Sequence, residues 1–281
     1  MNSELKTAII TGADGGMGYE ETKAVAQAGY RIIMACYDPA VAEPRRQSLI
    51  AETGNANIEI LPIDLSSLQS VRHFVEQVQQ RVQHVHLLMN NAGTLETELR
   101  TTIDGLERTA SINYVGPYLL TRLLLPLMGR GSRIVSMTSI AHIIGRLSFP
   151  QFFTNGCNGR FQRFFAYGNT KMALTLFTLE LAERLRDQGI TVNVSDPGIV
   201  NTQIITLHNC LDFISDLIFR PFIRTPKQGA QQAISLLLDA DKEGQTGGFW
   251  RSGKQIKLRR AYHNTALRQQ LWDETARLVQ L

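Results

Sequence analysis

The chain has 281 residues, of which 43% are apolar and 19% charged, and its formal net charge is +4. These values are ordinary for a soluble globular protein and allow a large core. The arginine pairs at 45–46 and 259–260 are isolated rather than part of a basic face, which argues against nucleic acid as a partner.

The three cysteines, Cys36, Cys157 and Cys210, are far apart and odd in number. Their spacing argues against a metal-ligand pair and a disulfide framework, so we expect no metal and a reducing, cytoplasmic compartment. The apolar run at 7–10 is too short for a signal peptide, and the run at 115–128 is interrupted by an arginine and two prolines. We therefore expect no integral membrane segment.

Short apolar runs alternate with helical patterns along most of the chain. The runs are apolar throughout, as expected for strands buried on both faces of a parallel sheet. Predicted strands cover residues 6–11, 30–35, 57–63, 85–90, 132–138, 190–195 and 247–251. Predicted helices cover residues 17–28, 40–53, 67–83, 104–128, 164–187, 226–239 and 264–279. This alternation predicts a doubly wound α/β fold, and because the rhythm never resets we expect residues 1–281 to form one domain.

Two segments interrupt the alternation. Residues 141–165 hold six of the chain's 12 phenylalanines together with several helix-breaking residues. These rings either line a pocket for a bulky apolar substrate or pack the core of the insertion itself, and the sequence favours neither interpretation. Residues 203–224 are amphipathic, and we interpret them as a lid over the pocket; contact with a membrane surface is the alternative.

A glycine-rich turn follows the first predicted strand. The sequence T-G-A-D-G-G-M-G at 11–18 leads into a helix through Gly12, Gly16 and Gly18. In an open α/β sheet, ligands bind outside the carboxyl ends of the strands. Glycines at such a turn let a pyrophosphate approach the free N–H groups of the helix. The motif by itself is also compatible with a plain tight turn.

Polar residues follow the next three predicted strands. Tyr37 ends the second strand, Asp64 the third, and Asn-Asn-Ala-Gly at 90–93 the fourth. Asp64 either accepts a hydrogen bond from an adenine amino group or caps the following helix, and the two interpretations are equal. The turn at 90–93 has an ordinary turn composition, but its position among the strand ends favours the site.

Tyr167 and Lys171 lie four residues apart in a helical stretch, so their side chains share one face. Ser139 ends the fifth predicted strand, and D-P-G-I-V-N-T at 196–202 follows the sixth. A lone serine or a Pro-Gly bend is ordinary in a loop, and only the combination with Tyr167 and Lys171 gives these residues weight.

Asn113 lies in a predicted helix four residues before Pro117. Since proline has no N–H, the main-chain carbonyl of Asn113 should lack its helix partner and need another donor. A water bound there would reach toward Lys171; alternatively, Pro117 only bends the helix around the sheet. The first interpretation is favoured.

Six motifs now stand together: Thr11-Gly12-x-x-x-Gly16-x-Gly18, Asn-Asn-Ala-Gly at 90–93, Asn113, Ser139, Tyr167-x-x-x-Lys171 and Pro197-Gly198. Jointly they resemble the short-chain dehydrogenase/reductase family. Stretches such as R-I-V-S-M-T-S-I-A-H and R-F-F-A-Y-G-N-T-K are similar to its retinol dehydrogenase-like branch, and the likeness covers essentially the whole chain.

The resemblance implies a Rossmann-type, seven-stranded parallel sheet with helices on both faces in three layers. It implies a catalytic tetrad of Asn113, Ser139, Tyr167 and Lys171. It also implies a homodimer or homotetramer and a nicotinamide cofactor. The implied cofactor contacts are Gly12, Asp14, Gly15, Gly16, Met17, Gly18, Tyr37, Asp64, Leu65, Asn91, Ala92, Gly93, Tyr167, Lys171, Pro197, Gly198, Val200 and Thr202.

Several residues depart from the pattern of that branch. Tyr37 stands where an arginine commonly meets the 2′-phosphate of NADP, and Cys36 stands where an acidic residue would select NAD. Asp14 would repel a 2′-phosphate that it faced, although the arginines at 45–46 could compensate. The cofactor is therefore NADP or NAD, with the branch favouring NADP. Asp196 replaces a histidine frequent in the branch, and we assign it no function.

Enzymes of this branch often carry an N-terminal membrane anchor, whereas this chain starts almost directly at its first strand, so we expect a soluble relative. We expect an NAD(P)-dependent oxidoreductase that interconverts a hydrophobic alcohol and its aldehyde or ketone. A catalytically inactive nucleotide-binding regulatory or scaffold protein is the alternative, although such a protein has no reason to keep the tetrad.

Lys171 supplies a physical reason for using a tyrosine as the acid or base. A free phenol has a pKa of about 10. A unit positive charge about 4 Å away, at an effective dielectric of about 20, favours the phenolate by about 4 kcal/mol and lowers that pKa to about 7. We therefore predict that Lys171 tunes Tyr167 and binds the ribose, that Ser139 holds the substrate oxygen, and that Asn113 anchors a water.

Overall fold

The central sheet has the strand order of a doubly wound α/β fold. The computed structural model describes residues 5–200 and 224–281, and within them eight strands form one sheet in the order β3-β2-β1-β4-β5-β6-β7-β8. The strands are β1 Thr7–Thr11, β2 Arg31–Cys36, β3 Ile58–Pro62, β4 Leu87–Asn90, β5 Arg133–Met137, β6 Thr191–Ser195, β7 Phe249–Arg251 and β8 Lys254–Gln255. Strands β1 to β7 are all parallel, which confirms the predicted Rossmann-type fold.

The predicted count of seven strands is wrong by one short strand. β8 pairs antiparallel with β7 across the turn formed by Ser252 and Gly253, whose φ angles are 53° and 76°. Positive φ at both turn residues suits the twist of a two-residue hairpin. β8 has only two residues, both exposed, so it carries no apolar pattern by which the sequence could reveal it.

Helices cover both faces of the sheet, as predicted. In the described ranges they are α1 Gly16–Gln27, α2 Pro39–Thr53, α3 Leu68–Gln79, α4 Arg108–Ala110, α5 Gly116–Leu124, α6 Gln151–Asn155, α7 Arg163–Arg184, α8 Pro226–Leu238 and α9 Thr265–Leu278. One apolar core lies between the sheet and α3, α5, α7 and α9, and the other between the sheet and α1, α2 and α8. Every residue of β1 and β4 is buried, which explains why these strands are apolar runs without alternation.

The long helix predicted at 104–128 is interrupted by a π-helical segment, Ser111–Val115, between α4 and α5. There the N–H of Gly116 donates to the carbonyl of Ser111, five residues back. Pro117 lies in the first turn of α5, where a missing N–H costs least. The sequence therefore located the irregularity correctly, but the chain widens one turn rather than simply bending. Asn113 lies at the centre of the widened turn.

The strand order reverses at β1, and this reversal determines which edge of the sheet can bind a ligand. β2 and β3 lie on one side of β1, and β4 to β8 lie on the other. In such sheets a crevice forms at the carboxyl ends of the strands, where the strand order reverses. The residues that follow β1, β4, β5 and β6 therefore meet at one edge.

Two sequence predictions concern residues outside this description. The predicted lid, 203–224, falls outside the described residues except for Arg224, and so does the predicted cofactor contact Thr202. Among the helices of the described ranges, none is long and apolar enough to cross a membrane.

Candidate active site

Two neighbouring cavities lie along the carboxyl edge of the sheet and share Gly93. The first, which we call the tyrosine cavity, has a volume of about 200 Å³ and is lined by Met17, Asn91, Gly93, Leu95, Met137, Thr138, Ser139, Ile140, Ala141, Phe164, Tyr167, Lys171, Pro197, Gly198, Ile199 and Val200. The second, the aspartate cavity, has a volume of about 230 Å³ and is lined by Gly12, Asp14, Ala35, Tyr37, Ile63, Asp64, Leu65, Ala92, Gly93, Thr94, Arg108 and Ile112.

The two cavities collect most of the predicted site residues. Among those that the structure describes, four lie outside the cavity walls: Gly15, Gly16, Gly18 and Asn113. A larger cavity of about 550 Å³ lies between α7 and the β7–β8 hairpin and contains none of the predicted residues. The candidate site is therefore identified by the residues that line the two strand-end cavities and not by the volume of the cavity.

The glycine loop presents an open helix N-terminus. Gly15 is the N-cap of α1, and within the described ranges no side chain caps that helix. A Cβ added at Gly15 or Gly16 would have no neighbour within 4 Å, whereas one at Gly18 would lie 2.1 Å from the carbonyl oxygen of Gly12. The unpartnered N–H groups and the clear approach fit an anionic group such as a pyrophosphate.

Thr11 and Asn91 lock the glycine loop to the end of β4. The hydroxyl of Thr11 accepts hydrogen bonds from the main-chain N–H groups of Asn91 and Ala92, each at 3.0 Å. The side-chain amide of Asn91 donates to the carbonyl of Thr11 at 2.9 Å and to that of Gly12 at 3.3 Å. Asn91 thus shapes the loop as well as lining the tyrosine cavity.

Asn113 is fully buried and uses its side chain to hold the neighbouring loop. Its Oδ1 accepts from the N–H of Thr94 at 2.7 Å, and its Nδ2 donates to the carbonyl of Thr94 at 2.8 Å and to Oγ1 of Thr170 at 3.1 Å. The proline four residues on indicates only a free main-chain carbonyl at Asn113, and no sequence signal indicates these side-chain bonds. The predicted water between Asn113 and Lys171 stays a prediction.

Tyr167 and Lys171 project from α7 into the tyrosine cavity, as their spacing predicts. Lys171 is 3% exposed, and its ammonium lies 5.6 Å from the centroid of the Tyr167 ring. The ammonium donates to the carbonyl of Met137 at the end of β5, at 3.1 Å. One turn of α7 is therefore tied to the strand that carries Ser139.

The expected effect of Lys171 on Tyr167 is wrong for the protein alone. Burial raises the pKa of Tyr167 above its ordinary value, Asp196 raises it further, and a hydrogen bond with Ser139 acts in the opposite direction. Burial also lowers the pKa of Lys171 to about 8. The cost of removing both charged groups from water outweighs the effect expected from their attraction. At neutral pH the phenol is consequently the protonated, donor form.

Ser139 and Thr138 have different roles at the end of β5. The hydroxyl of Thr138 donates to the carbonyl of Lys171 at 3.2 Å and lies 3.1 Å from Oγ1 of Thr175. Ser139 lines the tyrosine cavity, where its hydroxyl hydrogen-bonds with Tyr167 and its oxygen accepts a long contact, 3.3 Å, from the N–H of Ala141. Ser139 thus has capacity left for a substrate oxygen.

The aspartate cavity contains two acidic side chains. The carboxylate of Asp64 accepts from the N–H and hydroxyl of Ser66, and Ser67 is the N-cap of α3. Of the two interpretations of Asp64, the helix cap is therefore wrong, and the contact with an adenine amino group stays a prediction. Arg45 lies over the ring of Tyr19, and Arg46 pairs with Glu43. Neither arginine lines the cavity, so the expected compensation for Asp14 is absent from its walls.

The phenylalanines of residues 141–165 divide between core and surface. Phe149, Phe152 and Phe153 pack on one another, with ring centroids 5.1 to 6.3 Å apart. For these three the core interpretation is confirmed. Among the six phenylalanines, Phe164 is the one that lines the tyrosine cavity, and it is 49% exposed. The interpretation that the whole set forms the pocket is therefore wrong.

Comparison with known proteins decides the family. The family model described as short chain dehydrogenase matches residues 6–209. This chain belongs to the short-chain dehydrogenase family. Retinol dehydrogenase 12 of Mus musculus is 33% identical to this short-chain dehydrogenase over 276 residues, covering 98% of the chain and 86% of the relative. Polyprenol dehydrogenase of Homo sapiens is 32% identical over 283 residues, covering 98% and 85%.

Solved structures agree with this assignment. A crystal structure of a putative uncharacterized protein from Mycobacterium Paratuberculosis has a TM-score of 0.77 at 26% identity and covers 98% of this chain and 93% of that one. The Pseudomonas aeruginosa RhlG/NADP active-site complex has a TM-score of 0.67 at 25% identity, covering 87% and 93%. The protein is therefore an enzyme of the retinol dehydrogenase-like branch, an NAD(P)-dependent oxidoreductase acting on alcohol and carbonyl groups.

Replacing Lys171 with methionine should make the protein more stable and inactive. Lys171→Met removes a buried charge but keeps an unbranched side chain, so we expect the free energy of unfolding at pH 7 to rise by about 1–3 kcal/mol. Urea unfolding measures this change, with the exposed Lys227→Met as control.

The gain should depend on pH. Because the pKa of Lys171 is lowered from 10.5 to about 8, the folded protein binds fewer protons than the unfolded chain between these values, and its stability rises with pH there. The advantage of Lys171→Met should shrink over this window. A variant less stable than the natural protein at pH 7 would show that the buried ammonium is net stabilising.

Cofactor choice should respond to charge at Tyr37. This residue is 70% exposed at the end of β2 and lines the aspartate cavity. In Tyr37→Arg the ratio of the Kd for NADPH to that for NADH should fall about tenfold, or about 1.4 kcal/mol, because a guanidinium binds a phosphate well. Titration of both nucleotides measures the ratio, and Tyr37→Gln removes the ring without adding charge. The same response in both variants would contradict this location for the 2′-phosphate.

Proposed function

We propose that Tyr167, Lys171, Ser139 and Asn113 carry out the reaction, and that the substrate is a hydrophobic alcohol, aldehyde or ketone. The observation that carries the proposal is the composition of the tyrosine cavity: one phenol, one serine hydroxyl and a buried ammonium face a space otherwise walled mainly by apolar side chains. A cavity of this kind binds an apolar molecule and orients one oxygen atom.

The four residues divide the proton chemistry between them. A bound nicotinamide supplies or accepts the hydride. In carbonyl reduction the neutral phenol of Tyr167 donates a proton to the substrate oxygen, which the hydroxyl of Ser139 orients. The ammonium of Lys171, 5.6 Å from the Tyr167 ring, stabilises the phenolate that remains. The side chain of Asn113 keeps the adjacent loop in place.

The cofactor would lie along both cavities. The N-terminus of α1 would hold the pyrophosphate, and the loop at Pro197, Gly198 and Val200 would border the nicotinamide in the tyrosine cavity. The adenosine ribose would lie near Asp14 and Tyr37 in the aspartate cavity. The NADP complex of the Pseudomonas aeruginosa relative supports NADP for this chain.

Hydrophobic substrates receive support from two sources. Leu95, Ile140, Phe164 and Ile199 contribute apolar surface to the tyrosine cavity. The relatives named retinol and polyprenol dehydrogenases suggest long apolar alcohols. We further propose a homodimer or homotetramer that works in the cytoplasm.

Removing the phenol hydroxyl tests the assignment of the acid. Tyr167→Phe should lower kcat/KM by about 10²–10⁴-fold, because proton transfer loses its donor, while the Kd for the nucleotide changes little. Steady-state rates and nucleotide titration measure the two effects, with Tyr30→Phe as the matched control. Full turnover by a folded, nucleotide-binding Tyr167→Phe enzyme would remove Tyr167 from the reaction.

A matched substrate panel tests the apolar pocket. Among aldehydes of increasing chain length, kcat/KM should rise by about threefold to fourfold for each added methylene group that the cavity buries, about 0.8 kcal/mol. Hydroxylated analogues of equal length are the controls and should react more slowly. Consistently faster turnover of small polar carbonyls would contradict the proposed substrate class.

A further inference from the structure

Asp196, to which the sequence assigned no function, is a fully buried carboxylate directly behind the proposed catalytic residues. It follows β6 immediately and is 0% exposed. Its N–H donates to the carbonyl of Trp250 in β7 at 2.9 Å. Its Oδ1 accepts from the N–H of Gly198 at 2.9 Å, and its Oδ2 accepts from Nε of Arg251 at 3.0 Å and from a terminal nitrogen of the same guanidinium.

These bonds shape one wall of the tyrosine cavity. The Asp196–Gly198 hydrogen bond closes a turn in which Gly198 has a φ of 76°. A second arginine, Arg224, donates to the carbonyl of Pro197 at 3.1 Å. On the other side, the N–H of Thr138, next to Ser139, donates to the carbonyl of Ser195 at 2.9 Å. Asp196 therefore joins the turn at Gly198 to β7, and its neighbour Ser195 pairs with the backbone that leads from β5 to Ser139.

The charge of Asp196 is felt by the proposed catalytic pair. Asp196 pairs with Arg251 on β7, and its negative charge acts to raise the pKa values of His142, in the short helix after β5, and of Tyr167 and Lys171 on α7. Arg224 is a further cation at this wall, where it donates to the carbonyl of Pro197. Burial lowers the pKa of His142 to about 4, so this ring is neutral at neutral pH. The side chain of Arg251 is 29% exposed, whereas that of Asp196 is 0% exposed. Water therefore screens the cation more than the anion.

We propose that the Asp196–Arg251 ion pair is a positioning element of the active site: it fixes the wall at Pro197 and Gly198 and places a buried negative charge next to that wall, where it acts on Tyr167 and Lys171. This inference rests on the proposed roles of Tyr167 and Lys171. A buried ion pair adds little net stability in general, because the cost of desolvating both charges offsets their attraction. A contribution to the reaction would therefore explain why this ion pair is present.

Asp196→Asn separates the two parts of this role. The amide oxygen can still accept from the N–H of Gly198, so the bond that closes the turn is kept, while the charge and the two hydrogen bonds from Arg251 are lost. Without the anion, the ammonium of Lys171 loses a proton more easily and the phenol of Tyr167 ionises more easily. Both limbs of the pH profile of kcat/KM should therefore move to lower pH, by about one pH unit.

Three further measurements make the result decisive. Ultraviolet titration of the phenolate, with Tyr167→Phe subtracted, should show the same downward shift without any turnover. Arg251→Gln removes the cation and leaves the carboxylate, so its limbs should move to higher pH. Asp187→Asn, an exposed carboxylate on the surface, should leave the profile unchanged.

The outcomes are distinguishable from failure of the proposed function. An unshifted pH profile in a folded Asp196→Asn enzyme would overturn the role of Asp196. A shift to lower pH in both Asp196→Asn and Arg251→Gln would also overturn it, because variants of opposite charge change should not shift the profile in the same direction unless the cause is distortion of the site. Should Asp196→Asn fail to fold, the sign of the shift in Arg251→Gln still decides the question. Loss of the function itself would appear instead as an active Tyr167→Phe enzyme.

Discussion

The site depends on an ammonium group held in a place that water does not reach. Lys171 is 3% exposed and has the carbonyl of Met137 as a hydrogen-bond acceptor. Burying a cation is costly unless partners compensate, and its lowered pKa reflects that cost. Three features of the surrounding structure meet this constraint. The last residue of β5, Met137, provides the carbonyl, the hydroxyl of Thr138 hydrogen-bonds to the backbone of α7, and the carboxylate of Asp196 directly follows β6.

Local irregularities of the backbone concentrate around the same place. A Cβ at Gly93 would come within 3.3 Å of both Oδ1 of Asn113 and the ammonium of Lys171, so the loop after β4 passes close to both. The π-helical segment at Ser111–Val115 centres on Asn113, whose side chain clamps that loop. Regular helices and strands thus end at this edge of the sheet, while the loop at Gly93 and the π-helical segment bring Asn113 and Lys171 close to each other.

Electrostatics divides the edge into two parts of different character. At the tyrosine cavity, the ammonium of Lys171 lies 5.6 Å from the Tyr167 ring, and the carboxylate of Asp196, itself paired with Arg251, acts to raise the pKa of both groups. In the aspartate cavity, Asp14 and Asp64 lie beside Arg108, which is already paired with Glu96. With the proposed roles, proton transfer and nucleotide selection would therefore be governed by separate groups of charges, although Gly93 borders both cavities.

Much of the fold could be predicted from the sequence, because the signals that indicate helices and strands are local. Continuous apolar runs reflect strands buried on both faces, so the sequence predicted the fold. Four-residue spacing places Tyr167 and Lys171 on one helical face, and most of the residues predicted for the candidate site lie together at one edge of the sheet. Composition could not sort Phe149, Phe152 and Phe153 into the core and Phe164 into the cavity wall. Such a division depends on which side of a packed segment faces the sheet.

Tertiary structure alone decided the remaining questions. The pKa of Tyr167 depends on how much water the whole site excludes, a sum over contacts from four strands and α7 that no single motif contains. The role of Asp196 likewise requires Arg251, 55 residues away in sequence but on the adjacent strand. The sequence by itself determined the fold and the chemical groups of the site; long-range packing determined their charges, because desolvation and ion pairing arise only when distant segments meet.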